Sequence, residues 1–346
     1  MGPRLLQGAI VAVCLLDLVL PLTILHTFRD PEDNSFQLMA LHDSTGALYI
    51  GATNRLHKLT SDLNLIQSAA TGPREDNPEC PPPILPCEKP KMATDSLTKG
   101  LVIDSDHDSV ILCTSLFHGS CQILKLSNIT SVTSFAQKPS VPNDGSSCVM
   151  FLAPGPQNET SLYIGAEYSP VGDEAYRDLV PSISSRDLKT LELAYRDKEG
   201  GTKMSIKQDI RSEFKVRFVA GFSYSGYVYF ITVQPKGLKS KEKVTRIIRL
   251  CQGDRYFRSY IEIPLECQDT SSSSTIVAQA ASQMEDGRLV VSYSPDGSSV
   301  RASSSVCVYR LEDIDLMFAQ TVQDCYNGQG KVGPDHYETI RTCMRT

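Results

Sequence analysis

The feature that most constrains this chain is a diverged internal repeat of about sixty residues. Five segments share one plan: an apolar strand, a polar turn, a second apolar strand, a gap and a third strand that often ends in a basic–apolar pair. The second strands begin at Leu48, Val110, Leu162, Val228 and Leu289, at spacings of 62, 52, 66 and 61 residues. Short strands bounded by Gly, Pro, Asn, Asp and Ser turns predict an all-β protein. Their recurrence predicts five blades of a β-propeller.

The alternative is a pair of unrelated β-sandwiches, which would not explain the recurring order of strands and turns. The apolar pattern of the strands also fits a propeller. Middle strands such as VYFITV (228–233) are continuously apolar and predict burial on both faces, as where blades stack. Later strands such as NRLHKL (54–59) alternate and predict one wet face. Residues 311–319 have helical apolar spacing and predict a short helix after the fifth blade. Five blades do not obviously close a ring, so we expect the front portion of a larger propeller rather than a ring completed by unrecognised strands.

The N-terminus has the composition of a secretory signal peptide. Arg4 supplies a positive charge, and an apolar stretch follows from Leu5 to about Leu25, interrupted by Asp17. A carboxylate there would cost about 3 kcal/mol at the centre of a spanning helix, which favours a cleaved signal over an anchor. We predict a signal peptide at 1–26 and a partial propeller domain at 27–346. No second apolar run is long enough to span a bilayer, so we expect no membrane insertion beyond the signal.

Ten cysteines follow the predicted signal, and such numbers in a secreted chain predict disulfides, because the secretory pathway is oxidising. A structural zinc site is disfavoured, because no CxxC motif occurs and the histidines are scattered. Two sequons, at Asn128 and Asn158, predict N-glycosylation on surface loops.

Other classes of function find little support. The net charge is −6, so the chain lacks the basic footprint of a nucleic-acid binder. There is no HExxH, GxSxG or P-loop, and 328–331 (GQGK) echoes a phosphate loop only superficially. Alternating aspartates at 104–108 lack the rest of an EF-hand. The basic stretch 236–243 is interpreted as a solvated hairpin tip, with a heparin or ligand patch as the alternative. We therefore predict no catalytic residue, no cofactor and no metal.

Several motifs carry a resemblance to a known family. The run ATGPREDNPEC (70–80) resembles the segment after the first blade of a plexin semaphorin (sema) domain, as does GALYIGATNRLHKL before it. SISSRDL (182–188) resembles a third-blade segment, and RIIRLC (246–251) and VCVYRL (306–311) are similar to later plexin tracts. The resemblance implies a sema-type propeller, seven-bladed in the family, with about five blades here. Within plexins the sequence looks closer to the B type.

The resemblance also implies a set of disulfides. The implied pairs are Cys80–Cys87, Cys113–Cys121, Cys267–Cys307 and Cys325–Cys343. The expected partner of Cys251 would lie beyond this chain, and Cys148 has no counterpart that we can place. These two cysteines either pair with each other or are both free, and the departure favours a truncated domain.

The implied function is that of the extracellular ligand-binding domain of a plexin-like cell-surface receptor for semaphorins. The alternatives are a secreted semaphorin-like ligand, a soluble decoy and, least favoured, a propeller enzyme. The resemblance implies ligand contacts in loops of the third and fourth blades, between about 154 and 227, without singling out a residue. A co-receptor and a second copy are further candidate partners. The expected location is the secretory pathway, then the extracellular side of the plasma membrane or the extracellular medium.

Overall fold

The computed structural model describes residues 24–81, 86–136, 138–267, 276–296, 304–329 and 336–338. Within them the chain forms five antiparallel sheets of three or four strands, which follow one another in sequence. Nearly all of the predicted signal peptide (1–26) lies outside the described residues. No helix among those residues is long and apolar enough to cross a bilayer.

The first two sheets each have four strands, and a small hairpin lies between them. The first sheet comprises β1 (Phe36–His42), β2 (Ala47–Ala52), β3 (Arg55–Leu59) and β4 (Leu65–Ala70). The hairpin comprises β5 (Arg74–Asp76) and β6 (Met92–Thr94). The second sheet comprises β7 (Thr98–Asp104), β8 (Ser109–Thr114), β9 (Cys121–Lys125) and β10 (Val132–Phe135).

The third and fourth sheets are also four-stranded, and the fifth has three strands followed by a helix. The third segment comprises β11 (Cys148–Pro154), β12 (Thr160–Ala166), helix α1 (Glu174–Arg177), β13 (Ile183–Asp187), the hairpin β14 (Arg196–Asp197) and β15 (Gly200–Gly201), and β16 (Lys203–Met204). The fourth comprises β17 (Arg217–Tyr224), β18 (Tyr227–Pro235), β19 (Lys243–Cys251) and β20 (Ile261–Pro264). The fifth comprises β21 (Ile276–Gln283), β22 (Arg288–Pro295), β23 (Ser305–Arg310) and helix α2 (Leu311–Tyr326).

The first strands of the five sheets contact one another in turn, β1 with β7, β7 with β11, β11 with β17 and β17 with β21. Each sheet therefore radiates outward as a propeller blade, with its first strand innermost. The predicted all-β propeller with five blades is confirmed. The outermost strands β4, β10, β16 and β20 were not predicted. They are short or weakly apolar, and their position is set by pairing with one neighbouring strand.

Four apolar clusters fill the spaces between consecutive blades. The second strands β2, β8, β12 and β18 are buried on both faces, as predicted. Strand β22 differs, because its burial alternates along the strand. On the neighbouring strand β23, Val306 and Val308 are 67% and 54% exposed. Among the described residues, only the fourth blade and α2 pack against the fifth blade, on one of its faces.

Glycines allow the inner strands of adjacent blades to approach closely. A Cβ placed on Gly51 of β2 would lie 2.4 Å from Thr98 of β7, and one on Gly165 of β12 would lie 2.3 Å from the ring of Phe218 of β17. Real Cβ atoms do not come so close to other atoms, so the absence of a side chain at these glycines leaves room for side chains of the next blade.

Helix α2 is longer than the predicted 311–319. Its buried side chains are Leu311, Ile314, Phe318 and Cys325, a helical spacing that continues into the second half of the helix. The sequence prediction stopped early because Gln320, Thr321 and Gln323 dilute the apolar pattern there.

A short segment at 336–338 returns to the third blade. Tyr337 forms an isolated bridge with Ile206, and its hydroxyl lies 3.2 Å from the Ser182 hydroxyl. The Tyr337 side chain is fully buried against the cluster between the third and fourth blades. The segment therefore ties the region after α2 to a blade formed more than a hundred residues earlier.

Candidate protein-interaction surface

A partly exposed cluster of aromatic and charged side chains lies where the outer parts of the third and fourth blades meet. We call it the tyrosine–arginine patch and define it by Tyr195, Asp197, Arg255, Tyr256 and Arg258. The first two residues belong to the β14–β15 hairpin region, and the other three belong to the loop between β19 and β20. Two separate blades therefore build one surface.

Hydrogen bonds and ring contacts hold the patch together. The Tyr195 hydroxyl donates to Asp197 Oδ2 at 2.8 Å, and the Tyr256 hydroxyl donates to the same oxygen. The two rings meet edge to face with centroids 5.6 Å apart. Arg255 lies 4.9 Å from the Tyr195 ring centroid, and Arg258 lies 4.4 Å from that of Tyr256. The side chains are thus ordered before any partner arrives.

These contacts fix the charge of the patch at neutral pH. The hydrogen bonds from Tyr256 and Tyr195 lower the pKa of Asp197, and the bond to Asp197 raises the pKa of Tyr256. Asp197 therefore stays ionised and Tyr256 stays neutral across the physiological range. The patch offers two guanidinium groups, one carboxylate and two phenol rings.

The supports of the patch are buried. The Thr202 backbone donates to Tyr195 O at 3.0 Å, and the Thr202 hydroxyl donates to Ser185 O at 2.9 Å, which fixes the hairpin on β13. Arg186, within the SISSRDL segment, is buried and donates to Leu191 O at 2.9 Å. Burial lowers the pKa of Arg186 from its ordinary value. This segment therefore supports the hairpin from below, and the buried Arg186 side chain is not available to a ligand.

Three of the implied disulfides fall within the described residues, and the structure forms each of them. The bonds join Cys80 to Cys87, Cys113 to Cys121, and Cys267 to Cys307. The Cys113–Cys121 bond joins directly paired residues of β8 and β9.

The remaining four cysteines after the predicted signal fall into two pairs that the sequence analysis treated separately. Cys325 is buried on α2, and Cys343 lies outside the described residues, so their pairing stays a prediction. Cys148 and Cys251 are not joined to each other, and both are free thiols, one of the two alternatives left by the sequence. Burial raises the pKa of the Cys148 thiol to about 12, so it is an unreactive thiol at neutral pH.

Both predicted glycosylation sites are exposed. Asn128 Oδ1 accepts hydrogen bonds from the Thr130 hydroxyl at 2.8 Å and from Gln67 Nε2 at 3.4 Å. Asn158 lies in the turn between β11 and β12 with a positive φ of 60°. Occupancy of either asparagine by a glycan stays a prediction.

The other stretches singled out in the sequence have local partners. The basic stretch 236–243 forms the tip of the β18–β19 hairpin, where Lys236 pairs with Glu242 at 3.1 Å. Among the aspartates of 104–108, Asp104 bonds His107 at 2.8 Å and Asp108 accepts from the Ser127 hydroxyl at 3.0 Å. In the part of the chain that the structure describes, no group of three or more metal-ligating side chains occurs.

The predicted ligand region, 154–227, contains the β14–β15 half of the patch but not the loop of the fourth blade. That loop was missed, although the sequence GDRYFRSY (253–260) alternates arginines with aromatic residues, a composition typical of protein interfaces. The signal was present, but nothing local indicated that this loop meets the hairpin of the preceding blade.

Comparison with known proteins gives related sequences and folds. No protein-family model matches the chain. Plexin-A4 of Homo sapiens is 29% identical over 343 residues, covering 88% of this chain and 18% of that protein. Plexin A3 of Danio rerio is 28% identical, covering 87% of this chain and 18% of that protein. The chain thus spans about a fifth of the length of these curated relatives.

Solved structures show the same architecture. The full extracellular region of Plexin A4 matches with a TM-score of 0.75 and 27% identity, covering 91% of this chain and 39% of that chain. Drosophila Semaphorin 2a matches in fold alone, with a TM-score of 0.59, 15% identity and coverage of 85% and 50%. The chain therefore has the sema-type β-propeller fold and is similar in sequence to plexin sema domains.

Proposed function

We propose that this chain is the extracellular ligand-binding domain of a plexin-like cell-surface receptor, and that it binds a semaphorin through the tyrosine–arginine patch. The observation that carries the proposal is the patch itself, an ordered pair of tyrosines and arginines on the outer surface of two rigid blades. Tyrosine and arginine are enriched among the residues that dominate binding energy at protein interfaces. The role is one of binding without catalysis.

The receptor interpretation is supported over that of a semaphorin-like ligand by the comparisons. Plexin A4 matches with higher identity and a higher TM-score than Drosophila Semaphorin 2a. Both relatives named above are A-type plexins, so they lend no support to the predicted B type, which stays a prediction. A co-receptor, a second copy and the location on the cell surface are likewise predictions.

Preorganisation explains how such a patch would give affinity. Binding costs free energy when flexible side chains are immobilised, about 0.5–1.5 kcal/mol for each one. Here Tyr195 and Tyr256 already share one carboxylate, and each carries a stacked arginine. A partner that covers the patch therefore orders little that is not already ordered.

The test uses the secreted chain and a panel of semaphorin ectodomains immobilised for surface plasmon resonance. We expect wild type to bind at least one of them. The double variant Tyr256→Ala/Arg258→Ala should raise the Kd at least about tenfold, which corresponds to about 1.4 kcal/mol. The matched control is Arg288→Ala, which removes an exposed arginine from the fifth blade.

Two outcomes would contradict the proposal in different ways. If wild type binds no semaphorin while its melting transition shows a folded protein, the receptor function is wrong. If wild type binds and the double variant binds equally well, the function stands and the assignment of the patch is wrong.

A further inference from the structure

A groove of about 680 Å³ lies between the first and second blades, on their outer side. One wall is the last strand of the first blade, β4, and the other is formed by β9 and β10 of the second blade. Sites that hold ligands commonly have volumes of about 300–1,000 Å³. The groove is on different blades from the tyrosine–arginine patch.

Both walls end in an edge strand. Strand β4 is last in the first sheet and β10 is last in the second, and within the described residues neither pairs with a further strand. The outward N–H and C=O groups of such strands can pair with an extended segment of another chain. The groove therefore offers backbone hydrogen bonds as well as space.

Part of the groove is lined by apolar side chains. Leu116, Leu124 and Ile129 are fully or almost fully buried behind it. Val132 and Phe135, both on β10, lie at its rim and are 52% and 37% exposed. Residues of an extended peptide alternate in direction, so every second side chain could contact this apolar surface.

One end of the groove is positively charged. Its ionisable lining residues are two arginines, Arg55 and Arg74, with no carboxylate among the lining. Arg55 pairs with Glu32, whereas exposed Arg74 has no ion-pair partner within the described ranges. Nearby Thr71 is 7% exposed, and its hydroxyl has no hydrogen-bond partner among the described residues. A buried hydroxyl without a partner costs stability, so this end favours a ligand that carries oxygen acceptors.

The opposite end is closed by a contact between the blades. Gln67 of β4 accepts a hydrogen bond from the Ile129 backbone at 3.2 Å and donates to Asn128 Oδ1. The stretch from Ser68 to Ala70 is the part of β4 that lines the groove. A ligand that enters there must extend toward the arginine end.

We propose that this groove binds an extended acidic peptide segment of a partner protein, added as a fifth strand along β4. A carboxylate of the peptide pairs with Arg74, an acceptor reaches the Thr71 hydroxyl, and an apolar side chain packs between Val132 and Phe135. The site goes beyond the proposed semaphorin surface and does not depend on it.

The test uses the full secreted chain and three fluorescent probes. The first is a capped ten-residue peptide of alternating valine and threonine in which the threonines at the fourth and sixth positions are replaced by glutamate. The second carries lysine at those positions, and the third is the glutamate peptide with alternate backbone nitrogens methylated. We expect fluorescence anisotropy to show binding of the glutamate peptide at micromolar concentrations and binding of the other two at least about tenfold weaker.

Arg74→Glu should reverse the preference, so that the lysine peptide binds better than the glutamate peptide. The matched control Arg288→Glu, on the fifth blade, should leave it unchanged. Arg74 is exposed, so the variant is expected to fold, and its melting transition checks this.

Three results would overturn the proposal. Wild type that binds none of the probes has no such site. If the methylated peptide binds as well as the unmethylated glutamate peptide, the peptide does not pair with β4 as an added strand. Self-association of the chain, measured by sedimentation and abolished by Arg74→Glu, would make a second copy the occupant instead of a partner protein.

Discussion

Two blade boundaries, first–second and fourth–fifth, have the same kind of inner packing but differ on the outside. The outer space is open at the first–second boundary and filled at the fourth–fifth boundary. Each has an apolar cluster built from the second strands of its two blades. Between the fourth and fifth blades, α2 fills the outer space and the Cys267–Cys307 bond closes it. Between the first and second blades the corresponding space stays open as the groove. The comparison shows that the repeat fixes the inner packing, while the segment between blades decides whether the outer space is filled or stays open.

A polar contact anchors α2 in its position. The Tyr229 hydroxyl donates to Asp315 Oδ1 at 2.6 Å, and Arg249 reaches the same oxygen at 3.0 Å. Arg249 also lies 4.5 Å from the centroid of the Phe318 ring. Burial and the bond to Asp315 raise the pKa of Tyr229, so the phenol stays a donor. Helix α2 is therefore part of the core.

The largest expected effect comes from emptying the filled boundary. Phe318→Ala removes a fully buried ring of α2 and should lower the free energy of unfolding by about 3–5 kcal/mol, measured by urea denaturation. The matched control is Leu316→Ala on the exposed side of the same helix, which should cost less than about 0.5 kcal/mol. Equal costs for the two variants would mean that α2 is not part of the core.

The disulfide at the same boundary should rank next. Replacing Cys267 and Cys307 by serine opens a loop with a sequence separation of 40, and chain entropy predicts a loss of about 4 kcal/mol. The effect is measured as the change in the free energy of unfolding by urea, with the slope fitted separately for each variant, because loss of the cross-link expands the unfolded state. The control variant Cys113→Ser/Cys121→Ser removes a bond with a sequence separation of 8 and should show a smaller loss. A larger loss there would mean that the Cys267–Cys307 bond is not the more stabilising of the two cross-links.

A smaller effect tests the inner packing that both boundaries share. Gly51→Ala places a Cβ against Thr98 of the next blade and should cost about 1–3 kcal/mol through overpacking. Gly237→Ala, at a hairpin tip with no atom within 4 Å of the added Cβ, is the control. Thermal unfolding that is unchanged by Gly51→Ala would show that the blades can separate at little cost.

The smallest effect is expected at the open boundary. Val132→Ala trims a half-exposed side chain at the groove rim and should change the free energy of unfolding by less than about 0.5 kcal/mol. The same variant should weaken binding of the glutamate peptide, because the side chain contacts the ligand. A loss of stability above about 1.5 kcal/mol would mean that the rim is structural and the groove is not a binding surface.

The repeat could be predicted from sequence because each middle strand carries its own signal. The continuous apolar run around Tyr229 and the turn between Cys113 and Cys121 are local, and the structure follows them. Strand β4 and the second half of α2 were missed, because LIQSAA and the residues around Gln320 acquire their structure from neighbouring elements.

The proposed interaction surfaces were predicted less well for the same reason. The expected range of ligand contacts included Tyr195 but not Tyr256, since their meeting depends on how two blades stack. The groove could not be predicted at all. Arg74 was noted only as part of a motif, and its position beside β10 depends on packing between the first and second blades.

The bridge between Ile206 and Tyr337 has a consequence for how the protein is made. The two residues are 131 positions apart, and domains emerge from the ribosome at about 5–20 residues per second. Ile206 therefore waits roughly 7–26 s for its partner during synthesis. Third and fourth blades that fold as they emerge would, during that interval, expose to chaperones and to other nascent chains an apolar surface that the Tyr337 ring covers in the finished protein.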